Sequence, residues 1–318
     1  MIKVLANDGI SEDGKLLLEE AGFEVQTTKI PQEELPTKLN DFDALIVRSA
    51  TKVRKELIDM APNLKLIARG GVGMDNIDVE YARSKGIKVV NTPAASSQSV
   101  AELVFAHIFS LSRFLQLSHL EMREKGDTAF KDLKKSYAKG AELRGKTVGI
   151  IGFGRIGQAV ARMALGMGMR VLATDPMVKE AVIELNFPGF DGVKLNLKVD
   201  TVPMETVLSS SDFITLHVPG GDGPLLGAKE FEMLKNGVVL VNTARGGTID
   251  EDELVNALAS GKVKGAGLDV FVGEPTPRKD LLSHPNISLS PHIGASTTQA
   301  QTNIGMELAE KIMDHFEG

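Results

Sequence analysis

The sequence has no cysteine. That excludes disulfides, thiolate nucleophiles and any zinc site built on cysteine, so redox chemistry on this chain has to be borrowed from a cofactor. No apolar run approaches the roughly 20 residues needed to span a bilayer. The opening MIKVLANDGI has no basic flank, apolar core and small-residue cleavage site, so a secretory signal is not expected and the expected address is cytoplasmic. Positive charge is outnumbered: 36 Lys and Arg against 42 Asp and Glu give a net charge of −6. This argues against nucleic acid as the main partner, while a local basic patch could still hold a small anion. What is present is the composition of an ordinary globular chain, 42% hydrophobic and 25% charged with 32 glycines. At 318 residues it exceeds the usual size of a single core, so two domains are expected.

Between residues 1 and 95, the short apolar runs IKVLA, FEVQT, ALIVR, LKLIA and IKVVN alternate with helix-like stretches such as SEDGKLLLEEAG. Strands alternating with helices imply βαβ units and a parallel sheet. Ser11 reads as the N-cap of the first helix and Gly22 as its stop. The spacing of Val100, Leu103, Val104, His107, Leu111 and Leu115 predicts one long helix over about 97–120, a crossover between domains. Residues 121–137 read as a charged, exposed connection. From Thr147 the alternation restarts with TVGII, RVLAT, FITLHV, GVVLVNT, VKGAGLDV and ISLSP, a second parallel α/β unit. Residues 187–203, broken by glycine and proline, read as an irregular loop or short strands. A last helix over about 297–316 carries Ile304, Leu308 and Ile312 on one face.

In TVGIIGFGRIGQAVARMALGMGMRVLATDP, Gly152, Gly154 and Gly157 have the G-x-G-x-x-G spacing between a strand and a helix. Gly152 permits the tight turn, Gly154 lets the backbone approach a pyrophosphate, and Gly157 lets the helix pack on the strand. The helix N-terminus offers free N–H groups to the anion. Asp175, at the end of the next strand, suits the adenosine ribose hydroxyls and would repel a 2′-phosphate, which favours NAD over NADP. The alternative is a helix-capping aspartate in a sheet that binds something else.

A second constellation lies toward the end of the chain. The apolar run Val238–Val241 delivers Arg245, followed by two glycines, to the carboxyl edge of its sheet. A guanidinium there suits a carboxylate, which its planar fork binds through two parallel hydrogen bonds; the alternative is an ion pair with Asp250 or Glu251. Glu274 and His292 follow. Histidine is the usual proton shuttle near neutrality, and a carboxylate partner stabilises its protonated form. Each also has a structural reading, Glu274 in a turn and His292 as a strand-end cap. Of the other histidines, His107 reads as a core or interface residue, His119 and His315 lie in polar surroundings and His284 in a turn, whereas His217 also reaches the ligand edge.

In order along the chain, GFGRIG (152–157) with Asp175, HVP (217–219), NTARGG (242–247), GLDVF (267–271), EP (274–275) and PHIGAST (291–297) resemble the D-isomer-specific 2-hydroxyacid dehydrogenases. VRSATKV (47–53), ARGGVGMDNID ending at Asp78 and NTPAASSQSVAEL (91–103) resemble, within that family, the enzymes acting on D-3-phosphoglycerate. The resemblance implies two doubly wound α/β domains: a flavodoxin-like substrate domain of residues 1–95 and 290–318, and a Rossmann NAD domain of residues 96–289, with the site in the cleft. It implies that Arg245 orients the substrate, that His292 is the acid/base and that Glu274 is its partner. NAD would touch Gly152, Gly154, Arg155, Ile156, Gly157, Asp175, Pro176, His217, Val218, Pro219, Thr243, Ala244, Arg245, Asp269, His292 and Gly294. A phosphorylated 2-hydroxy acid would meet Arg48 and Arg69 at its phosphate, and the amides of Gly71, Val72 and Gly73 at its carboxylate. No metal is implied; a homodimer built through the nucleotide domain is. Other readings are a relative acting on glyoxylate, hydroxypyruvate or lactate, an NADH-sensing regulator, and a hydrolase that keeps NAD bound. Two departures stand out: HVP is followed by GGDGPLLG rather than a threonine-rich turn, and the 187–203 stretch is long. The sequence ends soon after the last helix, so serine feedback through an amino-acid-sensing domain is not expected.

Overall fold

The computed structural model describes residues 1–190 and 192–317. The chain divides into two compact units, Met1–Ser99 with Ala295–Gly318, and Val100–Gly294. Both are parallel α/β sheets, as the alternation of strand and helix signals predicts.

The first unit has strands β1 (Lys3–Ala6), β2 (Glu24–Gln26), β3 (Ala44–Val47), β4 (Leu66–Arg69) and β5 (Lys88–Asn91) in the order β2-β1-β3-β4-β5, the flavodoxin-like order. These strands read as unbroken apolar runs because both faces are buried. Val4, Ala6, Ala44 and Ile46 pack on one side with Ile304, Leu308 and Ile312 of the last helix, Thr298–Glu317. Leu5, Leu45, Val47 and Ile67 pack on the other with Leu57 and Ile58. Ser11 caps the helix Glu12–Glu20 by accepting from the Gly14 amide. That helix meets the last one so closely at Gly14 and Gly305 that a methyl group on either would strike the other's segment.

The second unit has β6 (Thr147–Ile151), β7 (Arg170–Thr174), β8 (Glu180–Asn186), β9 (Lys194–Asp200), β10 (Phe213–Leu216), β11 (Val238–Asn242), β12 (Val263–Leu268) and β13 (Ile287–Leu289). Six form a parallel sheet, β13-β12-β11-β10-β6-β7, whose order reverses between β6 and β10. Ligands of such sheets sit at that reversal, beyond the carboxyl ends of the strands.

Three sequence readings are refined. The helix expected over 97–120 is two, Ser97–Ser112 and Leu115–Lys125, bent by 58°. Phe114, with φ of 56°, makes the break, its ring lies against Tyr137, and the Ser112 carbonyl accepts from Ala141 N at 2.9 Å. The apolar periodicity continued across a break that only one backbone angle reveals. Within 187–203, read as an irregular loop or short strands, β9 is a strand, and it pairs antiparallel with β8, whose alternation was hidden in a charged segment. Residues 121–137, expected as a connection, are largely helical, with a further helix over Phe130–Ser136. Among the described residues no single helix is long and apolar enough to cross a membrane.

Candidate active site

At the carboxyl end of β6, Gly152 has φ of 93°, and a side chain there would run into the His217 carbonyl. A side chain on Gly157 would strike the Gly152 carbonyl, so the helix Arg155–Gly166 can start this close to the strand only with glycine there. At Gly154 an added Cβ meets nothing within 4 Å, which leaves the backbone open to a ligand. The first-turn amides at Arg155, Ile156 and Gly157 lack carbonyl partners in their own helix. Together these fit a pyrophosphate. Asp175 follows β7: its Oδ2 accepts from Phe153 N at 2.7 Å, and its Oδ1 from Met177 N and Val178 N at 2.8 and 2.9 Å. Burial pushes this carboxyl up, but the three amides outweigh it and hold it below the usual aspartate range. Pro176 is exposed beside it.

His217 follows β10, with Val218 and Pro219 after it. Its Nε2 lies 3.0 Å from Thr215 Oγ1, while Nδ1 is buried with no hydrogen-bond partner among the described residues. Burial pushes the imidazole down to about 3, so the ring is neutral at physiological pH.

After β11 the chain makes the turn that presents Arg245. The Arg245 carbonyl accepts from Asn242 Nδ2 at 2.9 Å and Thr248 Oγ1 at 2.8 Å, and Asn242 Oδ1 accepts from Ala244 N at 3.0 Å. A side chain on Gly246 would collide with the Phe271 carbonyl. The turn is therefore fixed by the Asn242 and Thr248 side chains on its backbone, and the close approach at Gly246 is why a glycine follows the arginine. Nearby, Asp250 caps the helix Glu251–Ser260, Glu251 accepts from Val272 N at 2.8 Å, and Arg245 Nη1 donates to the Ala244 carbonyl at 2.6 Å. The Thr243 hydroxyl is buried without a hydrogen bond among the described residues.

His292 and Glu274, 18 positions apart, meet: Nδ1 lies 2.8 Å from Glu274 Oε2, and Glu274 Oε1 accepts from Phe271 N at 2.9 Å. His292 has φ of 55°, a conformation that a non-glycine residue keeps only where its surroundings enforce it. Asp269 is what enforces it. Expected among the cofactor contacts, it lies buried beneath the loop, 1% exposed. Oδ1 accepts from Ser290 Oγ (2.6 Å) and Ile293 N (2.9 Å), and Oδ2 accepts from Gly294 N (2.9 Å). These bonds also explain why residues 290–294 fall in the second unit.

Behind Ser290 stands His107, which the sequence marked only as a core or interface residue. Its Nε2 lies 3.0 Å from Ser290 Oγ and its Nδ1 2.9 Å from Ser288 Oγ. Because Ser290 gives its proton to Asp269, its oxygen accepts from His107 Nε2–H, so Nδ1 accepts from Ser288. Burial holds His107 below its ordinary value, against the pull of Asp269, and the neutral ring suits this chain of donors. A side chain on Gly267 would overlap His107, so the glycine admits the network.

In the first unit, Arg48 follows β3. Its backbone is fixed by Asp8, which accepts from Arg48 N and Thr51 N at 2.8 and 2.9 Å, and by Asn76, which donates to the Arg48 carbonyl at 2.8 Å. The side chain lines a cavity of about 190 Å³ with Asp8, Gly9, Ser11, Gly70 and Gln301. Its guanidinium makes no hydrogen bond or ion pair among the described residues. Arg69 instead folds back, donating to the Gly70 carbonyl at 3.0 Å and lying against Gly71. The expected amide cradle is corrected at Gly71, whose N–H donates to Thr92 Oγ1 at 2.7 Å; Val72 and Gly73 keep theirs unbonded among the described residues. Asp8, Asn76 and Thr92 escaped the sequence reading because they act on backbone, although Asp8 stands at a strand end, where such residues gather.

Comparisons with known proteins show what the chain is similar to. A family model, the NAD binding domain of D-isomer specific 2-hydroxyacid dehydrogenases, matches residues 105–294. A hydroxypyruvate reductase of Thermotoga maritima is 43% identical over 98% of this chain and 97% of its own. A D-3-phosphoglycerate dehydrogenase of Methanocaldococcus jannaschii is 42% identical over the whole chain, which spans 58% of that protein's length. Among solved structures, a Thermus thermophilus protein superposes with a TM-score of 0.85 at 31% identity, covering 100% of this chain and 97% of that one.

Proposed function

We propose that this chain, which belongs to the D-isomer specific 2-hydroxyacid dehydrogenase family, oxidises D-3-phosphoglycerate to 3-phosphohydroxypyruvate, the first step of serine biosynthesis. The cofactor is NAD. When bound it supplies the hydride acceptor that the protein's own side chains cannot. The remaining work belongs to the chain. His292 has Nδ1 engaged by Glu274, so Nε2 is the atom that takes the hydroxyl proton. Glu274, itself held by the Phe271 amide, stabilises the imidazolium that results. Arg245 grips the carboxylate with the fork its fixed turn presents.

The observation that carries the phosphorylated substrate is Arg48: a guanidinium on a cavity, with its backbone tied down and its charge unmet among the described residues. Arg69 adds positive charge at the neighbouring strand end, and the Val72 and Gly73 amides supply two further donors for the substrate's anionic groups. The enzyme would work as a homodimer built through the second unit, where Leu115, Leu120 and Met122 on the bent helices and Phe130 on the helix after them are exposed.

A second reading, reduction of unphosphorylated hydroxypyruvate, is favoured by the 43% identity to the Thermotoga reductase over nearly all of both chains. NADH formation from D-3-phosphoglycerate against D-glycerate separates the two. Charge-assisted hydrogen bonds to the phosphate of about 1.5–3 kcal/mol predict a kcat/KM higher by roughly tenfold to a hundredfold for the phosphorylated acid. Equal values for the two acids would favour the second reading.

A further inference from the structure

The ribbon β8–β9 takes no part in the proposed reaction, yet it is shaped for a partner. Opposite residues share a face, so Ala181, Ile183 and Leu185 stand with Val199, Leu197 and Leu195. Ile183 and Leu185 are buried on the β8 side, where β8 runs along the helix Arg155–Gly166, whereas Leu195 and Leu197 are 49% and 37% exposed. The opposite face is charged, with Lys198 bridging Glu180 and Asp200, and Lys194 near Glu184. Among the described residues β9 pairs with β8 alone; the bridge from Ala173 to Thr201 lies just beyond its end. An exposed edge of seven residues carrying leucines invites another strand, and proteins generally blunt or cover such edges.

The charges along β9, KLNLKVD, say which strand. We propose that β9 pairs antiparallel with β9 of a second copy about a two-fold axis at Leu197, joining two ribbons into one four-stranded sheet. In this register Lys194 faces Asp200, Leu195 faces Val199, Asn196 faces Lys198 and Leu197 faces its own copy. The smallest slip that keeps the apolar faces together is two residues. One way it sets Lys194 against Lys198, and the other way it sets Lys198 against its own copy. Parallel pairing in register stacks lysine on lysine. Opposite charges across strands stabilise and like charges destabilise, so the sequence selects one register and rejects its neighbours. The contact is isologous and closes on itself. It is separate from the bent helices, so with that interface it would build a tetramer.

The absence of cysteine makes the test clean, because Leu197→Cys introduces a sole thiol. Cα atoms directly opposite on antiparallel strands lie about 4.5–5.5 Å apart, within disulfide reach. Under mild oxidation of the full chain, Leu197→Cys should form a covalent dimer at least about tenfold faster than Val182→Cys, which lies on the other face one strand away. Light scattering provides the second arm. Asp200→Lys should halve the particle mass seen for wild type, and Lys194→Asp with Asp200→Lys should restore it. Neither exchange touches the packed face, and unchanged NADH-forming activity confirms folding. Equal crosslinking at 197 and 182, or one mass for wild type, single and double variants, would overturn the pairing.

Discussion

The two units end their parallel strands in different ways. In the second, the groups at the carboxyl edge are tied to one another: Glu274 to His292, Asp269 to the loop that carries His292, and His107 to Ser290 behind it. In the first, Asp8 and Asn76 fix the backbone at Arg48 while its guanidinium stays unpaired among the described residues. The difference fits the tasks proposed for them. A group that moves a proton needs one tautomer and one orientation, which hydrogen bonds to its other nitrogen enforce. A group that only attracts an anion needs a fixed base and an open charge.

Breaking the tied edge should cost most at the proton itself. His292→Ala should lower kcat by about 10²- to 10⁴-fold with little change in NAD affinity, read by steady-state kinetics and cofactor titration. Arg245→Lys keeps the charge but loses the fork, and should lower kcat/KM by roughly ten- to a hundredfold. Less is expected from His107→Leu, which leaves Ser290 and Asp269 in place but removes one donor: kcat should fall several-fold, while His107→Gln, which can still donate, should recover part of it.

The smallest effect is on stability against pH. His217 is held at about 3 when folded and titrates near 6.5 when not, so between those values the unfolded chain binds a proton that the native one refuses. Its contribution is complete above 6.5 and is lost as pH falls toward 3. Asp175 and Asp212, both held below the usual aspartate range, add losses in the same direction at lower pH. Denaturant midpoints measured across this range should decline, with a shallower slope between pH 6 and 4 in His217→Gln.

Most of this architecture was legible in the sequence because apolar runs and glycine spacing are local signals. The glycine-rich turn, Asp175 and the Glu274 and His292 pair could be picked out as residue types at strand ends. The break at Phe114 and the strand β8 could not: one rests on a single backbone angle, and the other is an alternation masked by charge. Asp269 was noticed for the cofactor, but nothing in GLDVF says that its carboxylate also holds the loop that carries His292. His107 looked like core because its partners, Ser288 and Ser290, lie about 180 residues away.

The division of labour between the two edges is tested most directly by measuring kcat/KM for 3-phosphohydroxypyruvate and hydroxypyruvate in wild type and Arg48→Ala. The account predicts that the variant loses roughly ten- to a hundredfold on the phosphorylated acid alone, bringing the two substrates together. An equal loss on both, or none on either, would contradict it.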